Sequence, residues 1–127
     1  QDDSRAIDTY LHFIREWEQQ EGKVLESLAV LLPTCPLRQS VHIDEALSLF
    51  RRKRADSVIS YTQEHHPVKW HKYLDSDGKF ENIFPDTLNN RQKERISYYP
   101  NGAIFVLTAD ILKKGNYYSE NRNKTII

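Results

Sequence analysis

The sequence predicts an α/β fold, and three observations carry that prediction. Residues 4–20 repeat apolar side chains at helical spacing, residues 27–32 (SLAVLL) form an uninterrupted apolar run, and residues 57–62 (SVISYT) are rich in β-branched groups. Helix, buried strand, helix and strand in that order is the pattern of a parallel sheet joined by right-handed crossovers.

Each element has a local cause. Ile7, Tyr10, Leu11, Ile14 and Trp17 share one helix face, with Asp3 or Ser4 placed to cap it and Gly22 to end it. The run SLAVLL predicts a strand buried on both faces of the sheet. Ser40 is the expected cap of a second helix, with Asp44 and Glu45 near its positive end. Ile43, Ala46, Leu47 and Phe50 give that helix an apolar face, and Arg51, Arg52, Lys53 and Arg54 crowd its carboxyl end. SVISYT predicts another strand.

The pattern then breaks. VKWHKYL, DSDG and KFENIF read as two strands around a turn. After a polar stretch over residues 86–95, GAIFVLT is a further buried strand and residues 110–114 a short helix closed by Gly115. A hairpin between core strands is either an arm that pairs subunits, over residues 67–97, or an ordinary β-meander packed on the same domain.

Composition narrows the classes of function. The 127 residues suit one domain, residues 1–127, and 39% hydrophobic content supports a packed core. Lys plus Arg equals Asp plus Glu at 18 each, which argues against a general nucleic-acid binder. No apolar run approaches the roughly 20 residues that cross a bilayer, so no membrane partner is expected. The amino end is polar and acidic, without the pattern of a signal peptide. A single cysteine, Cys35, fits a reducing compartment, and the expected location is the cytoplasm. The chain holds no methionine, starts at Gln1 in a helix-like pattern and ends in KTII. It reads as the middle of a longer protein lacking both ends. Its glycines, Gly22, Gly78, Gly102 and Gly115, stand alone, so a Gly-rich phosphate-cradling loop is not expected within it.

The chemistry concentrates in PTCPLR, residues 33–38, after a predicted strand and before a predicted helix. Ligands of open α/β sheets sit beyond the carboxyl ends of strands. Pro33 and Pro36 stiffen the loop. Thr34 and Arg38 offer a hydroxyl and a fork of donors suited to ribose or phosphate oxygens. A plain proline-rich turn with Arg38 on the surface is the competing account. Cys35 is expected to be a passive small residue, since nothing in the sequence places a base beside it. In EHHP, residues 64–67, adjacent histidines on extended chain face opposite ways, so a strand-ending loop is expected rather than a metal site. DSDG lacks the distal acidic residue of a calcium loop and is expected to be a tight turn. Lys69, Arg91 and Arg95 are surface charges taken singly, and an anion clamp if two converge near the strand ends. NKT at Asn123 is a glycosylation sequon by pattern only, without meaning in a cytoplasmic protein.

Four segments in order, LAVLLPTCPLR, HIDEALSLF, ADSVISYTQEHHPVKW and YYPNGAIFV, resemble the CMP-sialic acid synthetases (acylneuraminate cytidylyltransferases), with the KDO synthetases more distant. The resemblance runs over nearly the whole chain. It implies a three-layer, Rossmann-like nucleotide-diphospho-sugar-transferase fold with a β-hairpin dimerisation arm, hence a homodimer. It implies a cytidylyltransferase that couples CTP to a nine-carbon sugar acid with Mg²⁺ assistance, releasing pyrophosphate. By the same resemblance Leu32, Pro33, Thr34 and Arg38 line the nucleotide site. Lys69 and Arg91 match the family's clamp on the sugar carboxylate, and Asn101 matches a residue of the sugar pocket. The family usually reads LLQPTSPLR, with a glutamine on the nucleotide where this chain has Leu32, and a serine where it has Cys35. Tyr99 stands for a frequent arginine and Phe105 for a common tyrosine. Another sugar acid or sugar phosphate, or a non-catalytic dimerising relative, is therefore the alternative. The family's triphosphate-binding loop would precede Gln1, and its magnesium-binding Asp-x-Asp would follow Ile127. These 127 residues alone are accordingly expected to be inactive.

Overall fold

The computed structural model describes residues 6–85, 95–118 and 125–126. Helix α1 spans Ala6–Glu21 and α2 Ser40–Lys53, with strand β1 (Ser27–Val30) between them. Strand β2 (Ser57–Gln63), a 3-10 turn (Val68–Trp70) and the hairpin strands β3 (Lys72–Leu74) and β4 (Phe80–Asn82) follow. Strand β5 (Tyr98–Thr108), helix α3 (Ala109–Lys113) and strand β6 (Thr125–Ile126) complete the order. Two compact units result, residues 1–60 with 101–127, and residues 61–100. Among the described residues no helix is long and apolar enough to cross a membrane.

In the first unit β5 is one of two inner strands. The sheet order is β1-β5-β2-β6. β5 pairs antiparallel with β1, Ser27 opposite Thr108 and Val30 opposite Phe105, whereas β2 and β6 run parallel. β5 also opposes β2, because Thr108 N donates to Asp56 O while Ile104 N meets the Ser60 hydroxyl. The α/β class stands, but the sheet is mixed rather than wholly parallel. The reason is that an apolar run reports burial, not strand direction.

Alternation along β5 builds a core on each of its faces. Leu107 and Phe105 join Ile7 and Ile14 of α1 and Leu112 of α3. Tyr117 stacks edge-on against Tyr10 at 6.4 Å and tilts against Phe105 at 6.1 Å. Ile104 and Val106 instead meet Val58, Ala55 and the α2 face of Ile43, Ala46, Leu47 and Phe50. The apolar stripe predicted for each helix is therefore the stripe that packs.

Two expectations need correction. β1 is four residues long and not buried on both faces: Val30 is buried and Leu28 half-buried, while Ser27 and Ala29 are exposed. It stands at the end of the strand order, and Pro33 has no amide proton with which to extend the ladder. The cap of α2 is Gln39, not Ser40. Gln39 is extended (φ −116°, ψ 161°) and its amide donates to His42 Nδ1 at 3.1 Å, which leaves Ser40 as the first helical residue. At the other end Arg54 adopts a left-handed φ of 49° and Ala55 N closes onto Phe50 O.

In the second unit β3 and β4 form an antiparallel hairpin with Leu74 opposite Phe80. DSDG is the predicted tight turn. Asp75 Oδ1 accepts from Asp77 N and Lys79 N, each at 2.9 Å, and Gly78 supplies a φ of +77°. Lys72 bonds Asn82 across the strands and lies 5.5 Å from the Phe80 ring centroid. Trp70, Tyr73, Leu74 and Phe80 are all exposed.

One carboxylate ties three segments of the first unit. Glu18 Oε1 accepts from Lys113 Nζ at 2.8 Å and from Leu25 N at 3.0 Å, joining α1, the approach to β1 and α3. Lys113, and then the Leu25 amide, hold its carboxyl below the usual range. A carboxyl depressed in the folded state stabilises above the ordinary carboxylate range, and that contribution is lost as pH falls through the folded-state value. Glu18→Gln should therefore lower Tm at neutral pH, with the difference from wild type shrinking on acidification, as followed by thermal unfolding against pH.

Candidate functional site

The chain leaves β1 at Val30 and turns twice before α2. Pro36 occupies the second position of a turn closed by Arg38 N on Cys35 O at 3.2 Å, the place its fixed φ favours. Pro33 and Thr34 are exposed, whereas Leu32 and Arg38 are half-buried. Arg38 is the tie. One terminal guanidinium nitrogen donates to Leu32 O at 2.8 Å and to Ala103 O at 2.9 Å. The start of the loop is thereby fixed to β5 by charge-assisted bonds, each stronger than a neutral one. The sequence proposed Arg38 for ligand oxygens; here one nitrogen of its fork is already engaged with backbone.

Across from the loop, β5 departs from a regular pleat at Asn101-Gly102. Gly102 has φ +73°, and a Cβ there would lie 2.9 Å from Leu32 Cδ1. Leu32 therefore covers the Gly102 backbone, a packing role rather than a polar contact. Asn101 Oδ1 accepts from Ala103 N at 3.0 Å and lies 2.6 Å from Ser60 Oγ. Ser60 Oγ in turn accepts from Ile104 N at 2.9 Å and is 3.2 Å from Ile104 O. Both oxygens can only accept, so the single hydroxyl proton lies between Asn101 Oδ1 and Ile104 O, with Asn101 the shorter contact. Cys35 Sγ approaches Asn101 O at 3.6 Å, a weak thiol contact.

The first unit thus brings together Leu32, Pro33, Thr34, Arg38 and Asn101 of the residues the sequence singled out. Lys69 is exposed in the 3-10 turn of the second unit, and Arg91 lies outside the described residues. Sequence reasoning missed Ser60 and the approach of Leu32 to Gly102. The available signals were a lone hydroxyl inside the apolar strand SVIS and the Asn-Gly pair at the head of GAIFVLT.

The second unit has its own cleft of about 250 Å³, lined by residues 63–67 and 95–97. β2 ends at Gln63, and EHHP is the strand-ending loop expected of it. Glu64 N donates to Ser97 O at 2.8 Å. The Glu64 carboxylate accepts from His66 N at 3.1 Å, and this bond holds its carboxyl below the usual range against opposing desolvation. Glu64 so acts as the internal cap of the turn.

No family model matches the chain. Curated proteins do. It is 32% identical over 106 residues to the N-acylneuraminate cytidylyltransferase of Streptococcus agalactiae serotype V, covering 83% of this chain and 24% of the relative. The same values hold for serotype III of that species. To the N-acylneuraminate cytidylyltransferase of Escherichia coli O18:K1:H7 it is 34% identical over 82 residues, 64% of this chain and 20% of the relative. The chain spans about a quarter of the length of the curated relatives it matches. The resemblance to the CMP-sialic acid synthetases is borne out: this chain is related to a segment of those proteins.

The packing of Leu32 on Gly102 makes a direct prediction. Gly102→Ala should destabilise by about 1–2 kcal/mol from its left-handed φ alone, and further from the Leu32 contact. Adding Leu32→Ala should relieve only the contact part, so unfolding measurements on the single and double variants should show a less-than-additive loss.

Proposed function

We propose that the protein containing this segment is a cytidylyltransferase that activates a nine-carbon sugar acid with CTP, giving the CMP-sugar and pyrophosphate. The observation that carries this reading is the 106-residue similarity to proteins named N-acylneuraminate cytidylyltransferase. The loop held by Arg38 at the carboxyl end of β1 supports it, since that is where an α/β sheet offers a ligand site.

In the reaction the anomeric hydroxyl of the sugar acid attacks the α-phosphorus of CTP in line, and the bond to the β-phosphate oxygen breaks. Such a displacement is catalysed mainly by positioning and charge neutralisation. The stiff loop of Leu32, Pro33 and Thr34, with Arg38, lines the nucleotide. Lys69 and Arg91 hold the sugar carboxylate, Arg as a fork and Lys as a point charge, and Asn101 lines the sugar pocket. Among the described residues no group of three or more His, Cys, Asp or Glu could hold a metal ion. Mg²⁺ assistance, with ligands outside these residues, belongs to the same reading. The nucleotide-diphospho-sugar-transferase topology, the hairpin as dimerisation arm of a homodimer, and a cytoplasmic location belong to the same reading.

A second base or sugar is favoured by one observation. Leu32 turns its side chain onto Gly102, so this position supplies no side-chain hydrogen bond to a base.

Pyrophosphate release by the full-length protein, with CTP, UTP and GTP against a panel of 2-keto sugar acids, tests the proposal. Turnover with CTP and a nine-carbon acid is expected, and no turnover with any sugar acid would contradict it. Lys69→Ala and Arg91→Ala should each raise KM for the sugar acid by roughly 10- to 100-fold, the scale of a lost charged hydrogen bond, with CTP binding retained. Collapse of CTP binding in either variant would overturn the clamp assignment.

A further inference from the structure

At the head of β5 an exposed asparagine, Asn101, precedes Gly102, the residue that least hinders attack on its side chain. We propose that Asn101-Gly102 is a modification site, where Gly102 N closes on Asn101 Cγ to a succinimide whenever the head of β5 opens locally.

The step needs only water. Gly102 N gives its proton to solvent hydroxide and attacks Asn101 Cγ. Nδ2 takes a proton from water and leaves as ammonia, which regenerates the hydroxide. Water then opens the ring. Opening at Cγ leaves aspartate, and opening at the Asn101 main-chain carbonyl leaves isoaspartate, with the chain running through the side chain.

The fold builds this pair in and also holds it back. Gly102 has φ +73°, and a Cβ there would stand 2.9 Å from Leu32 Cδ1, so the position keeps glycine. Asn101 Oδ1 accepts Ala103 N at 3.0 Å, the asparagine closing its own turn. Ring closure requires Asn101 Cβ to eclipse Gly102 N, whereas extended chain keeps ψ at about +135°. Asn101 lies in β5, so its backbone must leave the strand before the ring can form, and that rotation gives up the bond from Ala103 N. Arg38 opposes the same motion through its bond to Ala103 O at 2.9 Å. Downstream, Ile104 and Val106 are 4% and 1% exposed, which confines the opening to the residues before them.

Aspartate at this position adds a negative charge, and isoaspartate lengthens the main chain by one carbon. The effect on activity rests on the reading of Asn101 as a sugar-pocket residue; the modification does not. Full-length protein held in mildly alkaline buffer, with and without urea, is mapped by peptide mass spectrometry, with Asn101→Ser as the unreactive control. Native protein should convert at residue 101 about 100-fold more slowly than the urea-unfolded chain, the scale of a local opening. Arg38→Met, which frees Ala103 O, should speed conversion by the same factor as it speeds exchange of the Ala103 amide, since both report one opening. Asn101→Asp, the product made in advance, should raise KM for the sugar acid roughly tenfold by placing like charges together. Native conversion that is absent, or as fast as in urea, would overturn the proposal, as would conversion and exchange factors that differ in Arg38→Met. An unchanged KM in Asn101→Asp, or no sugar-acid turnover in the wild type, would reject the sugar-pocket reading and leave the modification standing.

Discussion

The bridge from Arg38 to the carbonyls of Leu32 and Ala103 is the interaction on which the site depends. It joins a loop that follows an end strand to an inner strand of the same sheet. Prolines alone would stiffen the loop without saying where it rests. A guanidinium offers several donors in a fixed plane, so one side chain can hold two carbonyls at once. With the loop held, Leu32 settles over Gly102, and Gly102 permits the turn that brings Asn101 Oδ1 onto Ala103 N and Ser60. Leu32 against Gly102 and the weak thiol contact of Cys35 to Asn101 O join the same two segments beside the bridge.

The stability of that arrangement comes from β5. Its alternating Ile104, Phe105, Val106 and Leu107 supply a core to α2 on one face and to α1 and α3 on the other. The strand that presents Asn101 is thus anchored on both faces a few residues downstream. A polar tip on a rigidly packed strand keeps its geometry better than one on a free loop.

Much of this was legible in the residues. The i, i+3, i+4, i+7 apolar pattern of α1 and the face of α2 specify which side packs, and the structure uses those sides. Gly22 and Gly115 end helices with left-handed φ values, as their positions after the helical runs suggested. DSDG, with an Asp to accept two amides and a Gly for positive φ, encodes its own turn. Strand direction was not legible, because SLAVLL and GAIFVLT advertise burial through side chains while parallel or antiparallel pairing is decided by backbone partners distant in sequence. Nor was the role of Arg38, whose acceptors are backbone carbonyls, one of them 65 residues away, and carbonyls leave no trace in residue identity. Ser60 was hidden for the same reason: a hydroxyl in a strand gives no sign of which amide it will meet.

The claim that Arg38 builds a rigid lip is tested most directly by native-state hydrogen exchange on wild type and Arg38→Met, a substitution that keeps a long apolar stem and removes the fork. The account predicts faster exchange confined to amides of the loop over residues 31–39 and to residues 101–104, with α1 unchanged. Unchanged protection in the loop, or a uniform loss across the chain, would contradict it.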